Sequence, residues 1–230
     1  MVEKVLEVSR LYKSFTVGKG TLEVLKNLKF EVYNKEFVSI MGPSGCGKST
    51  LLYLMGGLDS PSSGDIKIFG QNYNSLSEKV KSKLRRTRLG FIFQFYNLIP
   101  NLSVEDNILL PVLIDGKKPK EYGNRLDEIL DIIGMEKRRK YTPRELSGGQ
   151  QQKTAIARAL LMDPDLILAD EPIGNLDSKS GKDIMDLFQR INVEMGKTIV
   201  QVTHFEEASY YGSRIISMRD GTIESDCGVT

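Results

Sequence analysis

Short runs of apolar residues alternate with polar or glycine-rich breaks along most of the chain. Four runs carry apolar residues at successive positions: Phe37–Met41, Phe91–Phe93, Leu166–Ala169 and Thr198–Val202. Successive side chains of a strand point to opposite faces, so these runs predict strands buried on both faces, as in a parallel sheet.

Helical spacing of apolar residues occurs between these runs. The clearest stripe is formed by Tyr122, Leu126, Ile129, Leu130 and Ile133, and Gly134 stands where a C-terminal cap belongs. Strands that alternate with helices predict an α/β fold with a mostly parallel core sheet. The chain between about residues 97 and 160 is mostly helical in pattern, and we expect it to form a subdomain inserted into the order of the strands.

The two ends of the chain have a different pattern. Leu6–Ser9 and Leu22–Val32 alternate as antiparallel strands do, which predicts an antiparallel β subdomain. Near the other end, Asp220-Gly221 between Arg214–Arg219 and Thr222–Ser225 predicts a hairpin. No internal repeat is visible, and we expect residues 1–230 to form a single domain.

Composition agrees with a globular protein. The 230 residues are 40% hydrophobic and 27% charged, which excludes disordered and fibrous chains. The net charge of +2 argues against electrostatic binding of nucleic acid by the whole surface, so no nucleic-acid partner is expected.

Cys46 and Cys227 are the two cysteines. One lies in a glycine-rich loop and the other near the C-terminus, so we expect no disulfide and a reducing compartment.

Neither a signal peptide nor a membrane span is expected. The first residues carry acidic side chains among apolar ones. The longest apolar run, Leu51–Leu58, contains two glycines and is far shorter than the about 20 residues that a membrane-spanning helix needs. Any membrane role would therefore act through a partner.

The strongest chemical motif is the phosphate loop, residues 42–50, which follows the Phe37–Met41 run. It consists of Gly42, Pro43, Ser44, Gly45, Cys46, Gly47, Lys48, Ser49 and Thr50 and matches G-x-x-x-x-G-K-[ST]. Its glycines let backbone N–H groups turn toward one point at a helix N-terminus, which favours phosphate. Lys48 would reach the β- and γ-phosphates, and the Ser49 hydroxyl suits Mg²⁺. The loop predicts binding of a nucleoside triphosphate.

Polar side chains also follow other apolar runs. Asp170 and Glu171 come directly after Leu166–Ala169, Gln94 follows Phe91–Phe93, and His204 follows Thr198–Val202. Ligands of open α/β sheets bind at the carboxyl ends of the strands. We expect Asp170 to hold Mg²⁺ and Glu171 to orient or deprotonate an attacking water. A lone histidine is more often structural, but its place at a strand end favours a functional role for His204.

A second candidate anion site precedes another helical pattern. Ser147 and Gln150 have capping-box spacing, and Gly148 and Gly149 between them expose backbone N–H groups. This pattern alone indicates a well-capped helix. Together with the phosphate loop, it suggests that a loop of one chain and a capped helix of another enclose one nucleotide.

These motifs together resemble the ATP-binding cassette (ABC) ATPases, from about residue 5 to 225. The stretch Leu146–Gln150 looks like their signature motif, and Gly174–Asp177 resembles their loop at the dimer interface. The resemblance implies that Phe15 stacks on adenine, that Gln94 senses Mg²⁺ and the membrane partner, and that His204 contacts the γ-phosphate. It also implies that Asp177 belongs to the nucleotide-binding set.

Finer features resemble the lipoprotein-release and macrolide-export subgroup (LolD/MacB-like). They are Arg85-Arg86, the stretch from Leu89 to Pro100, Glu105–Pro111 and Ser147–Gln152. Three residues depart from the usual pattern: Ile173 replaces a threonine, Lys153 an arginine and Phe205 an acidic residue. None of the three removes a phosphate or metal ligand, so the resemblance still implies ATP hydrolysis, whereas a particular transporter is not indicated.

The resemblance implies a P-loop NTPase fold with a helical signature subdomain, and a function as the ATP-hydrolysing subunit of a transporter. The cofactors would be ATP and Mg²⁺. The partners would be a second copy, in an ATP-dependent head-to-tail homodimer, and a transmembrane permease on a separate chain. The chain would then be cytoplasmic and peripheral on the inner face of the membrane. Export, extrusion or mechanotransmission of a lipoprotein, peptide or drug-like substrate is the expectation for this subgroup.

Other classes with this loop fit less well. ABC ATPases of DNA repair or chromosome structure carry coiled coils or zinc modules inside the cassette, but only about 95 residues separate Thr50 from Leu146. The translation-factor branch normally has two cassettes in one chain. A small-molecule P-loop kinase would need neither Ser147–Gln150 nor His204. The basic stretch from Lys79 to Arg88 predicts a solvated helix face, with docking to a membrane partner or an anionic lipid surface as the alternative.

Overall fold

The computed structural model describes residues 3–229, which form two sheets and a set of helices. The strands are β1 (Lys4–Val17), β2 (Gly20–Tyr33), β3 (Phe37–Met41), β4 (Ser63–Ile68), β5 (Gln71–Asn72), β6 (Leu89–Ile92), β7 (Leu166–Asp170), β8 (Thr198–Thr203), β9 (Arg214–Arg219) and β10 (Thr222–Gly228). The α-helices are α1 (Lys48–Met55), α2 (Glu78–Thr87), α3 (Val104–Ile114), α4 (Gly123–Ile133), α5 (Gly148–Leu160), α6 (Ser178–Val193) and α7 (Glu206–Ser209).

The larger sheet has six strands in the order β10-β9-β3-β8-β7-β6, and all its pairs except β10–β9 are parallel. Both faces are covered. Leu166 and Leu168 of β7 pack into one buried cluster, whereas Ile167 and Ala169 pack into a second one on the opposite face. The prediction of a mostly parallel core sheet with strands buried on both faces is confirmed.

Strand β6 begins earlier than its apolar run predicted. It covers Leu89–Ile92, so Phe93 lies beyond it. A Cβ at Gly90 would lie 3.1 Å from the Ala159 carbonyl oxygen and 3.3 Å from Pro164. The close approach of α5 explains why the strand contains a glycine. Because glycine is not part of an apolar run, the run Phe91–Phe93 did not predict the start of the strand.

The smaller sheet is antiparallel, in the order β2-β1-β4-β5. It confirms the predicted antiparallel β subdomain, although β1 extends from Lys4 to Val17 with several register shifts, and β4 was not predicted. The C-terminal hairpin is confirmed, and its first strand β9 pairs in parallel with β3. The amide of Lys26 donates to the Gly221 carbonyl oxygen at 2.8 Å and joins the two sheets.

Helices α3, α4 and α5 lie in the chain between the neighbouring parallel strands β6 and β7. Helix α4 ends at Ile133, and Gly134 after it has φ +65° and forms the predicted left-handed C-cap. Helix α5 begins with the predicted capping box, since Ser147 and Gln150 exchange both hydrogen bonds. The three helices agree with a helical insertion, while its boundaries at residues 97 and 160 stay a prediction.

The basic stretch is mainly paired within the molecule. Lys81 bonds to Glu78 on α2, Arg86 to Asp115 after α3, and Arg88 to Asp165 before β7. In addition, Arg85 donates to the Gly57 carbonyl oxygen at 2.7 Å. Because most of these cations are paired within the molecule, the structure favours a helix face over a surface that binds anionic lipid.

Candidate functional site

Three adjacent strands bring the candidate residues to one edge of the parallel sheet. Strand β3 leads into the phosphate loop, β7 ends at Asp170, and β8 ends one residue before His204. Because these strands are parallel neighbours in the order β3-β8-β7, their carboxyl ends meet at the same edge.

The phosphate loop turns tightly between β3 and α1. Gly47, which caps α1, has φ +102°, and a Cβ there would lie 2.6 Å from Leu25 Cδ2 on β2. A Cβ at Gly42 would lie 2.2 Å from the Met218 carbonyl oxygen on β9. Both positions therefore require glycine, and the loop is held between the two sheets by these close contacts.

Lys48 places a buried positive charge under this loop. The residue is 5% exposed, and its Nζ donates to the carbonyl oxygens of Gly42 at 2.7 Å and Pro43 at 2.9 Å. Within the described part of the chain, no carboxylate lies within ion-pair distance of it. A cation held only by carbonyl dipoles retains most of its attraction for an anion at the loop.

Ser49 and Tyr53 both donate to Asp170. Ser49 Oγ lies 2.8 Å from Asp170 Oδ1, and the Tyr53 hydroxyl lies 2.9 Å from Oδ2. Burial and the hydrogen bond to Asp170 raise the pKa of Tyr53 to about 12, so its hydroxyl remains a donor at neutral pH. Tyr53 was not predicted from the sequence. Its spacing was a usable signal, because positions four apart on a helix share a face.

Glu171 and His204 form a second polar pair. His204 Nδ1 lies 3.0 Å from Glu171 Oε1, and a carboxylate can only accept, so the proton of this hydrogen bond belongs to Nδ1. The Glu171 side chain is 14% exposed and that of His204 is 37% exposed. The bond fixes the direction of the carboxylate while leaving part of the histidine ring open to solvent.

Gln94 lies close to Glu171. A Cβ added to Gly174 would be 3.1 Å from Gln94 Nε2 and 3.3 Å from Glu171 Oε2, so the amide and the carboxylate flank the same glycine. Asn175 Nδ2 also donates to the Gln94 carbonyl oxygen at 2.9 Å. The structure thus brings Gln94 next to Glu171, whereas its hydrogen bonds do not join it to Ser49 or Asp170.

A cavity of about 210 Å³ opens beside the phosphate loop. It is lined by Val24, Ser44, Gly45, Gly47, Lys48, Ser49, Thr50 and Glu171. Sites that enclose a complete drug-sized ligand usually have about 300–1,000 Å³, so this cavity is suited to phosphate groups and leaves the rest of a nucleotide at the surface.

Phe15 provides an aromatic side chain on β1. It is 40% exposed, it pairs in register with Leu22, and Lys13 Nζ lies 4.7 Å from the centre of its ring. Tyr12 is half-buried on the same strand. Exposure gives Phe15 the surface that stacking on a base needs.

The signature residues line a different cavity, also of about 210 Å³. Ser147, Gly149, Gln150 and Lys153 contribute to its wall, and none of its lining residues lines the cavity at the phosphate loop. Gly148 approaches Leu176, since a Cβ there would lie 3.3 Å from Leu176 Cδ2. The structure therefore does not bring Ser147–Gln150 and Lys48 together within one chain.

Asp177 caps helix α6, where its side chain accepts from the Ser180 amide at 3.0 Å. Hydrogen bonds from the Ser180 hydroxyl and amide hold the pKa of Asp177 below its ordinary value. A cavity of about 640 Å³ lies between α6 and α7, and Asp177 and His204 are among its lining residues.

The three residues that depart from the usual pattern each have a defined neighbour or cavity. Ile173 packs near Gly181 of α6, and Lys153 lines the signature cavity. The ring of Phe205 lies 4.1 Å from that of His204, centre to centre. None of the three displaces Lys48 or Asp170.

Within residues 3–229, no cluster of three or more His, Cys, Asp or Glu side chains has the arrangement of a metal site. No helix in the same range is both long and apolar enough to cross a membrane.

Similar sequences come from ABC transporters. Residues 25–174 match the family described as ABC transporter. An ABC transporter ATP-binding protein of Thermotoga maritima is 44% identical over 97% of this chain and 95% of its own length. YknY of Bacillus subtilis, also described as an ABC transporter ATP-binding protein, is 43% identical over 95% and 94%. The macrolide export ATP-binding/permease protein MacB of Chlorobium phaeobacteroides is 42% identical over 96% of this chain, which spans only 33% of that protein.

Solved structures give the same result for the fold. The ATP-binding cassette MJ0796, described as dimeric and bound to ADP and Pi, has a TM-score of 0.89 and 40% identity, covering 98% of this chain and 99% of its own. CbiO1 of Clostridium perfringens, described as part of the transporter complex cbiONQ, has a TM-score of 0.87 and 29% identity, covering 99% of this chain and 89% of its own. The predicted P-loop NTPase fold is confirmed, and this chain belongs to the ABC transporter family and has the fold of its ATP-binding cassette.

Proposed function

We propose that this chain binds and hydrolyses ATP and thereby powers a separate membrane permease. The observation that carries this proposal is the meeting of three groups at one sheet edge: the Lys48 ammonium, the Ser49–Asp170 pair and the Glu171–His204 pair. These groups supply a positive charge that attracts phosphate, two oxygen atoms that can bind a cation and a carboxylate that can accept a proton from water. Phosphoryl transfer to water requires all three.

Mg²⁺ fits the residues at the Ser49–Asp170 pair. A hydroxyl oxygen and a carboxylate oxygen 2.8 Å apart form a hard-oxygen donor set, which this ion completes with water and phosphate oxygens. Ser49 and Asp170 would hold the ion, and Gln94 stands nearby beside Glu171. When bound, it neutralises charge on the β- and γ-phosphates. The Tyr53 hydrogen bond keeps the Asp170 carboxylate directed toward this place.

The protein residues account for the acid–base part of hydrolysis. Glu171 accepts a proton from the attacking water, whose oxygen forms the new bond to the γ-phosphorus as the bond to the ADP oxygen breaks. His204 holds the carboxylate through Nδ1, and its other ring nitrogen would contact a γ-phosphate oxygen as a donor, which requires an N–H on both ring nitrogens. Lys48 stabilises charge on the β- and γ-phosphate oxygens, while Phe15 stacks on the base.

A head-to-tail homodimer completes the site. The phosphate cavity covers only part of a nucleotide, and the signature cavity is separate from it in the same chain. A two-fold arrangement would place Ser147 and Gly149 of one copy over the nucleotide held by Lys48 of the other, giving two equivalent sites. Asp177, at the N-terminus of α6, would lie at the interface. The dimeric state described for MJ0796 supports this assembly.

A groove between β6, α3 and α5 suits the permease. Its cavity of about 350 Å³ is lined by apolar side chains that include Phe91, Phe93, Leu110, Pro111 and Ile114, with Arg85, Arg86 and Arg158 among the other lining residues. Ile114 is 69% exposed and Phe95 nearby in the chain is 72% exposed. We assign this groove to an apolar cytoplasmic segment of the permease, next to Gln94. The chain would then lie on the inner face of the membrane.

The decisive experiment measures ATP binding and turnover in the wild-type protein and in Lys48→Ala. The substitution removes the buried cation directed at the phosphates, so ATP binding should fall below detection by calorimetry, and turnover should be lost. The fold should persist, because Lys48 bonds only to loop carbonyls. Near-normal ATP affinity in a folded Lys48→Ala protein would contradict the assignment.

Transport of a lipoprotein, peptide or drug-like substrate is the finer proposal, supported by the relationship to MacB.

A further inference from the structure

The carboxylate at the centre of the proposed reaction stands on a strained backbone. Glu171 has φ +44°, in the left-handed region that residues other than glycine rarely adopt. It also precedes Pro172, whose ring favours an extended conformation in the residue before it. Such a conformation persists only where the surrounding structure holds it.

Three hydrogen bonds hold this turn. The Glu171 amide donates to the Val202 carbonyl oxygen, and the Gly174 amide donates to the Glu171 carbonyl oxygen, each at 3.0 Å. The third comes from a side chain: Gln152 Nε2 donates to the Pro172 carbonyl oxygen at 2.7 Å. Within residues 3–229, it is the one side-chain hydrogen bond to the backbone of residues 171–174.

Gln152 is an unusual residue for its place. It lies on α5 and is 0% exposed, and its Oε1 has no hydrogen-bond partner in the described part of the chain. An orphaned buried oxygen is destabilising, and an apolar side chain of the same length would avoid it. The bond to Pro172 gives a reason for an amide there.

We propose that Gln152 is a positioning residue for ATP hydrolysis, which acts by holding the backbone of Glu171 through the Pro172 carbonyl. The inference rests on the proposed function for the role of Glu171. Gln152 is fully buried and lines neither the cavity at the phosphate loop nor the signature cavity. Helix α5 begins at the signature residues, so the same bond connects the part of the chain that caps the partner's nucleotide with the carboxylate that acts on the chain's own nucleotide.

This role predicts a change in kcat and not in KM. The phosphate-binding groups, Lys48 and Ser49, bond elsewhere and should keep their positions. A displacement of the carboxylate of about 1 Å can slow a reaction by about 10²-fold. We therefore expect kcat to fall by about 10- to 100-fold when the Gln152 donor is removed, with KM for ATP within about twofold of the wild-type value.

The test uses Gln152→Met, which keeps the length of the side chain and removes the donor. Thr154→Val is the matched control, because Thr154 is also fully buried on α5 and its Oγ1 donates within the helix to the Gln150 carbonyl oxygen at 2.9 Å. Gln152→Met should lose turnover, and Thr154→Val should not. Unchanged kcat in Gln152→Met, or an equal loss in Thr154→Val, would overturn the inference. Gln152→Asn, whose shorter side chain falls short of Pro172, is measured beside it so that the result does not depend on one variant folding.

Amide hydrogen exchange without nucleotide gives a second readout. In Gln152→Met, the amides of Glu171 and Gly174 should exchange faster than in the wild type, and those two amides should be unaffected in Thr154→Val. Unchanged exchange at both amides in Gln152→Met would overturn the positioning role. A wild-type protein that fails to hydrolyse ATP would instead contradict the proposed function, and the exchange rates would still decide whether Gln152 holds this turn.

Discussion

Hydrogen bonds inside the protein set the direction of the polar side chains at the candidate site. Asp170 is 6% exposed and accepts from Ser49 and Tyr53, while Glu171 accepts from His204. The two neighbouring carboxylates therefore have different partners. One is directed toward the phosphate loop and the other toward the histidine, which is consistent with a metal ligand and a general base.

At the residue scale, Glu171→Gln should uncouple binding from hydrolysis. The amide keeps the shape of the side chain but cannot accept a proton from water, so turnover should fall by about 10²–10⁴-fold. ATP affinity should be kept, because a negative charge near the γ-phosphate is removed. Steady-state turnover and calorimetry measure the two effects, and wild-type turnover in Glu171→Gln would refute the assignment of the base.

The aromatic residue of the base-binding surface can be tested in the same way. Phe15→Ala should weaken ATP binding by about 1–3 kcal/mol through loss of stacking. Tyr12→Ala is the control, since Tyr12 is a half-buried aromatic on the same strand and should have the smaller effect. A larger loss in Tyr12→Ala, measured by calorimetry with ATP, would show that the wrong aromatic has been assigned.

At the scale of elements, the ends of α3 and β6 create a surface that the folded chain leaves open. The rings of Phe91 and Phe93 stack with their centres 5.8 Å apart along one side of the groove. On the other side, Arg158 of α5 donates to the Tyr96 carbonyl oxygen at 2.7 Å and holds the chain that follows Gln94. Phe93 and Asn97, which flank residues 94–96 in the chain, both line the groove.

Ile114→Asp should weaken attachment to the permease without changing basal ATP turnover. The charge would enter the apolar groove at its exposed end, where Ile114 is 69% exposed. Val193→Asp is the matched control, because Val193 is 73% exposed at the end of α6 and does not line the groove. Co-isolation of each variant with membrane proteins from solubilised native membranes measures the effect. Equal recovery of the Ile114 and Val193 variants would place the permease on another surface.

At the scale of the whole molecule, the two separate cavities predict nucleotide-dependent assembly. Glu171→Gln should elute as a dimer with ATP and as a monomer with ADP, because slow hydrolysis lets the closed state accumulate. Adding Ser147→Arg should abolish the dimer, since the long side chain would fill the place of the partner's phosphates. Size-exclusion chromatography with light scattering measures both. A double variant that still dimerises with ATP would exclude the head-to-tail arrangement.

Local patterns in the sequence were sufficient for much of the fold. The apolar runs of β3, β7 and β8 predicted buried parallel strands because each strand must present apolar side chains to both faces. Gly134 and the Ser147–Gln150 capping box predicted helix ends, because a cap depends on a few adjacent residues. In contrast, β4 alternates polar and apolar residues too briefly to be distinguished from a loop, and β6 contains a glycine that only the contact with α5 explains.

Local sequence motifs established the candidate chemistry: a phosphate loop, a pair of carboxylates and a histidine at strand ends, and a capped glycine pair. Each of these depends on residues that are adjacent in the chain. Which residues meet became known from the folded chain: Tyr53 with Asp170, Glu171 with His204, and Gln152 with Pro172. These pairs join residues that lie 20 to 117 positions apart, and their contact depends on sheet order and helix packing, which no local pattern encodes.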